Sequence, residues 1–251
     1  MRSASACEGA LAVPGDGCCT VAALDRAADG DCVSYAVSLD GRGFAGPSVN
    51  PESREAFVAL LRRNEERQQD EIHLAAVDAE GATRMLGVAG DGGAESLAAP
   101  VVTAQGIWIG FDLGIRRFGA GGGENGLVAD APRPGKFAVN RAGCIAWWAA
   151  QREGLGIDWP DAPASARFWP IGMDELGDDE ALGPAFTASG DALVGVVGGT
   201  LHAWKSSAGD ELGLLDLGPG AEAVVDLCLI DDDVYLLGAA GHLWAVAVEE
   251  N

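Results

Sequence analysis

No stretch of this sequence approaches the roughly 20 consecutive apolar residues that a membrane-crossing helix needs. Its first residues, MRSASACEGALAV, hold one arginine and no sustained apolar run, so neither a membrane span nor a secretory leader is expected. Histidine is scarce, with three residues. The six cysteines, Cys7, Cys18, Cys19, Cys32, Cys144 and Cys228, show no CxxC spacing, which argues against a zinc ribbon and a disulfide framework and for reduced thiols in the cytoplasm. Nucleophile and metalloprotease signatures (GxSxG, SxxK, HExxH) are absent. Gly121-Gly122-Gly123 is not followed by Lys-Ser/Thr and opens no helix, so it is not a phosphate loop. No catalytic residue, metal ligand or cofactor is expected on these grounds.

Basic residues are the other shortage. The chain carries 16 against 38 acids, a formal charge of −22, and the deficit is uneven. Residues 153 to 251 hold 19 acids and only two bases, Arg167 and Lys205. Such a field repels nucleic acid and anionic membrane, and it speeds encounter with a basic partner.

What the sequence does have is apolar residues and turns. Hydrophobic residues make up 48% of the 251, enough for a sizeable core, and repeat or barrel folds of this length commonly form one domain, here expected over 1–251. The stretch DLCLIDDDVYLLGAAGHLWAVAV reads as strands at 225–230, 234–238 and 242–248 separated by turns. Upstream, PAFTASGDALVGVVGGTLHAWKSSAGDELGLLDL repeats this layout, with Gly199 lying 42 residues before Gly241. Further copies appear in PVVTAQGIWIGFDLGIRRFG, KFAVNRAGCIAWWAA, DCVSYAVSLDGRGFAG and EIHLAAVDAEGATRMLGV. The turn glycines 41, 81, 114, 143, 199 and 241 average 40 residues apart. A period near 40 with several short strands per unit signals an all-β repeat fold, in which sheets stack so that their faces stay dry. About six repeats are expected, with five or seven also compatible.

Two segments break the pattern. Residues 51–69, PESREAFVALLRRNEERQQ, follow Asn50 with a proline and early acids, and Phe57, Leu60 and Leu61 are spaced for one helix face. They predict one inserted helix. Residues 158–183 are rich in proline and acid and predict a long loop or an insertion between repeats. The unit of proline, strand, turn, strand and a glycine before Leu-x-Ala-Trp, strongest over 100–251, resembles the quinoprotein-like and WD40-like β-propeller superfamilies. That resemblance implies a small β-propeller of about six blades. It carries over no binding residue, because the cofactor-binding and Trp-Asp signatures of those families are missing.

Function is expected to reside in surface charge. Asp174, Glu175, Asp178, Asp179 and Glu180 in the acidic loop, with Asp231, Asp232 and Asp233 in a hairpin turn, are the candidate partner-binding residues. The expected role is a non-enzymatic binding module, a monomer outside its complex, that engages a basic protein. A concrete form is an inhibitor or immunity protein whose carboxylates neutralise a basic toxin or nucleic-acid-acting enzyme. The alternative is a propeller hydrolase or lyase using central carboxylates, or a metal held by His202 and His242 with Asp210 or Asp233.

Overall fold

The computed structural model describes residues 5–7, 10–15, 18–23, 33–39, 41, 43–50, 53, 55–78, 80–94, 97–119, 124–129, 136–149, 154–158, 167–170, 181–207, 209–217, 224–230 and 233–247. Side chains within 5–38, 43–44, 124–129 and 167–170, and those of 149, 230 and 247, are outside this description. The chain divides into two compact units, Met1–Gly135 and Lys136–Asn251. Among the described residues each contains three antiparallel sheets whose strands follow one another in sequence.

In the first unit, one sheet is formed by β1 (Ser5–Cys7), β2 (Ala10–Gly15), β3 (Cys18–Ala23) and β4 (Val33–Ser38). The second holds β5 (Gly43–Val49), β6 (Ala56–Asn64), β7 (Gln69–Val77) and β8 (Thr83–Asp91). The third holds β9 (Val101–Thr103), β10 (Gly106–Phe111), β11 (Gly114–Phe118) and β12 (Glu124–Ala129). Alternation along the strands builds the core between the second and third sheets. Phe57, Ala59 and Leu61 of β6 and Ile72, Leu74 and Ala76 of β7 meet Ile107, Ile109 and Phe111 of β10 and Phe118 of β11.

In the second unit, β13 (Phe137–Val139), β14 (Ile145–Ala149), β15 (Gly154–Asp158) and β16 (Arg167–Pro170) form the fourth sheet. The fifth holds β17 (Ala181–Phe186), β18 (Ala192–Val197), β19 (Thr200–Lys205) and β20 (Glu211–Asp216). The sixth, among the described residues, has three strands: β21 (Val224–Ile230), β22 (Asp233–Gly238) and β23 (Leu243–Ala247). The fifth sheet is buried from both sides. Leu193, Val197 and Trp204 pack with Cys144, Ala146, Trp148, Leu155 and Ile157 of the fourth sheet. Val194, Val196 and Leu201 pack with Val234 and Leu236 of the sixth. Odd and even residues of β18 therefore serve different cores, which is why ALVGVV reads as one continuous apolar run.

A recurring five- or six-residue turn fixes four of the hairpins. Asp78, Asn140, Thr187 and Gly238 each accept, through the backbone carbonyl, the N–H of a glycine three residues on: Gly81, Gly143, Gly190 and Gly241. Those glycines have φ of +86°, +83°, +80° and +90°, the left-handed region that side chains with a Cβ resist. In three of the four the first side chain also closes the loop. Asp78 Oδ1 accepts from Ala82 N at 2.7 Å, Asn140 Oδ1 from Cys144 N at 2.9 Å, and Thr187 Oγ1 from Ala192 N at 3.1 Å. The sequence words DAEGA, NRAGC and TASGDA are thus one structural device.

The helix expected over 51–69 is not formed. Residues 56–64 and 69–77 are paired antiparallel from Ala56 opposite Val77 to Asn64 opposite Gln69. The mistaken cue was Asn50, whose Oδ1 accepts the Ser53 N–H at 3.3 Å and caps a turn with the chemistry that would cap a helix. The deciding feature is AFVALL, buried at all six positions. A strand covered on both faces shows no alternation, and burial overrides the helical propensity of the following EERQQ. Arg63 pairs with Asp70 at 3.4 Å and Arg67 with Glu71 at 3.0 Å, so these charges lace the hairpin together. The loop expected over 158–183 also needs correction, since β16 lies inside it and pairs with β15 from Gly154 opposite Pro170 to Ile157 opposite Arg167. Residues 159–166 and 171–180 are outside the described set.

Close approach of the fourth and fifth sheets depends on Gly195, where an added Cβ would lie 2.7 Å from the Trp148 ring. Gly195→Val is expected to overpack this interface and cost about 1–3 kcal/mol, measured by urea unfolding followed through tryptophan fluorescence. An unchanged midpoint would show that the Trp148 ring moves aside freely.

Candidate interaction surface

Among the described residues of the second unit, β20 contributes nothing to the cores. In β20, ELGLLD, every residue is exposed, including Leu212 at 55%, Leu214 at 56% and Leu215 at 42%. Directly opposed residues share a face of a sheet. Leu215 lies opposite Leu201, on the side of the sixth sheet, and Leu214 opposite His202, on the side of the fourth. Apolar surface is therefore presented on both faces. β20 is also the terminal strand of its sheet, pairing only with β19 among the described residues. A bulge between the pairs Ala203–Gly213 and Trp204–Glu211 leaves Leu212 without an opposite number.

Both ends of this strand are tied down. Ser206 is buried, donating from Oγ to the Gly190 carbonyl at 2.7 Å and from its backbone N–H to the Asp191 carbonyl at 2.8 Å. The Lys205 N–H donates to the Asp210 carbonyl at 2.8 Å, which closes the β19–β20 hairpin. At the far end the Leu217 N–H donates to the Gly199 carbonyl at 3.2 Å, and Leu217 packs into the core between the fifth and sixth sheets. Acids frame the leucines, with Asp210 and Glu211 before them and Asp216 after. Glu211 Oε2 stands 3.8 Å from Nδ1 of His202, whose ring stacks on Trp204 with centroids 5.2 Å apart. Burial lowers the His202 pKa below its usual value of 6.5, and the Glu211 carboxylate opposes that shift.

The residues expected to bind a partner are differently placed. Asp174, Glu175, Asp178, Asp179, Glu180, Asp231 and Asp232 lie outside the described residues. Asp233 begins β22, exposed, opposite Ile230 and Ala247. His202 and His242 do not converge: His202 occupies the face turned to the fourth sheet, while His242 is exposed at a turn, 6.2 Å from the Trp244 ring. Among the described residues no three His, Cys, Asp or Glu side chains are grouped to hold a metal ion. Cys144 and Cys228 are free thiols, and burial first, with Asp158 second, pushes the Cys144 pKa up to about 12. In the first unit, Glu71 is nearly buried and accepts from Asn64 Nδ2 at 2.8 Å, an interaction that leads in holding its carboxyl below the usual range. His73 Nε2 lies 3.4 Å from the same carboxylate, with its pKa lowered chiefly by burial. Asn64, Glu71 and His73 are thus engaged with one another.

Sequence comparison finds no matching family model and no matching curated protein. Solved structures are similar in three dimensions. A chain of the mitotic checkpoint complex matches with a TM-score of 0.70 at 12% identity, over 99% of this chain and 76% of that one. The WD40 β-propeller domain of Doa1 matches with a TM-score of 0.65 at 12% identity, over 98% and 82%. The β-propeller domain of Cps50 (Swd1) from Myceliophteria thermophila gives 0.62 at 13% identity, over 98% and 82%. The chain therefore has an all-β fold of the β-propeller repeat class, as its turn spacing implied. The structures it resembles include a WD40 β-propeller domain, and identities this low speak for the fold alone.

The two half-buried histidines set a pH dependence. In the unfolded chain each takes up a proton near pH 6.5, whereas in the native protein each stays neutral to lower pH. The unfolded state therefore binds more protons in that window, and stability falls as the solution is acidified below about pH 6.5. Urea midpoints at about pH 7.5 and about pH 5.5 are expected to differ less in His73→Gln/His202→Gln than in the parent chain. An equal loss in both would show that these rings are as readily charged in the native state as in the unfolded one.

Proposed function

We propose that this chain is a non-enzymatic protein-binding module, one domain over 1–251, that engages a basic protein. The observation that carries this reading is the pairing of an anchored, leucine-bearing exposed strand with a segment, 153–251, holding 19 acids and two bases. Contiguous exposed apolar surface rimmed by charge is the signature of a recognition patch. The sheet that carries it is packed against the fourth sheet on one face and the sixth on the other. Its fold neighbours support the same direction, since one of them is a chain of a multiprotein checkpoint complex. In its most specific form the proposal is an inhibitor or immunity protein that covers the anion-binding face of a basic toxin or nucleic-acid-acting enzyme. The acids Asp174, Glu175, Asp178, Asp179 and Glu180, with Asp231 to Asp233, would then add long-range attraction to the contacts made by the leucines.

Cross-linked purification from the native cell, followed by salt titration of the recovered complex, tests this. The partner is expected to be basic, and association is expected to weaken at least about tenfold as the Debye length falls from roughly 30 Å to roughly 3 Å. Reversal of Asp178, Asp179 and Glu180 to lysine is expected to slow association more than it speeds dissociation. A salt-insensitive complex, or an acidic partner, would sink the proposal.

A further inference from the structure

We infer that the outer edge of β20 is a docking site for an extended basic segment of a partner protein, which adds alongside Glu211–Asp216 as a further strand of the fifth sheet. This rests on the reading of the chain as a binder of basic protein and says where and how the contact is made. A terminal strand offers its outward N–H and C=O groups as a pairing template, and native proteins ordinarily blunt such edges with lysine, proline or a covering segment. β20 has no lysine and no proline, and its leucines are exposed on both faces. Its ends are fixed by Ser206 and Leu217, so little ordering is needed before a strand is added.

Charge selects the occupant. A second copy pairing antiparallel about the Gly213–Leu214 centre would set Glu211 opposite Asp216 at both ends, between molecules that each carry −22. Like charges directly opposite are destabilising. A partner segment with Lys or Arg at those two ends and β-branched or leucine residues between converts both clashes into attractions. It also covers Leu214 on one face and Leu215 on the other. Main-chain pairing supplies affinity in this mode, and alternate side chains supply specificity.

The probe is the acetylated and amidated peptide Lys-Val-Thr-Val-Val-Lys, with the full chain as receptor. Binding is followed by fluorescence anisotropy of a labelled copy and by amide hydrogen exchange. Binding below about 1 mM is expected, with slowed exchange confined to the amides of 211–217. Glu211→Lys and Leu214→Lys are each expected to weaken it at least about tenfold, while Leu113→Lys, a change at an exposed residue of the first unit, leaves it unchanged. Unaltered thermal melting of the variants shows that folding is intact. No binding at that concentration, equal binding of the peptide with Glu in place of Lys, or slowed exchange elsewhere with 211–217 unaffected would overturn the inference. So would concentration-dependent protection of 211–217 without peptide, which would assign the edge to a second copy. If the native basic partner stays bound with undiminished salt sensitivity to Glu211→Lys and Leu214→Lys, the β20 site fails while the basic-partner reading stands. If that complex is insensitive to salt, the broader reading fails whatever the peptide does.

Discussion

Burial of both faces of thin antiparallel sheets is the constraint from which the rest of this structure follows. A four-stranded sheet offers two apolar faces and cannot hide either alone; stacking lets one strand such as β18 contribute Leu193 to one core and Val194 to the next. Each fully buried side chain of this size contributes roughly 1.5–3 kcal/mol. The inner and middle strands are consequently apolar at successive positions, and the hairpins that join them are short. Tight turns then become compulsory, which is why the same glycine device recurs at Gly81, Gly143, Gly190 and Gly241.

The same constraint fades at β8 and β20, the terminal strands of the second and fifth sheets. β20 lies beyond the reach of either neighbouring core, so its side chains are free to answer to something other than stability. Three leucines held about half exposed there forfeit roughly 1 kcal/mol or more apiece relative to full burial. Their presence beside acids, on a strand pinned by Ser206 and Leu217, is a feature of the second unit that packing does not account for.

The class of fold was legible because turn chemistry is local: a glycine needing positive φ announces itself whatever lies around it. Gly199 and Gly241 join the second and third strands of adjacent sheets, so their 42-residue separation was a true repeat. Gly41 and Gly81 mark other junctions, between sheets and between third and fourth strands, which explains the uneven intervals. Residues 56–61 were misread because a strand buried on both faces carries no alternating signal. The cap that precedes them, Asn50, serves turns and helices alike. Sheet membership of β16 was hidden by the proline and acid around it. The candidate surface was missed for a different reason. ELGLLD reads in sequence as one more core strand, and only its place as the last in its sheet turns three leucines from core residues into exposed ones.

Charge and apolar exposure on β20 solve opposite halves of one problem. A leucine edge without acids would pair with any extended chain, its own copies included. Acids without leucines would attract cations of every shape and hold none of them for long, since exposed ion pairs contribute at most about 1 kcal/mol. Together they repel a second copy, repel acidic chains, and leave favourable pairing only for a segment that is both extended and basic. Specificity then comes from what the edge refuses as much as from what it accepts.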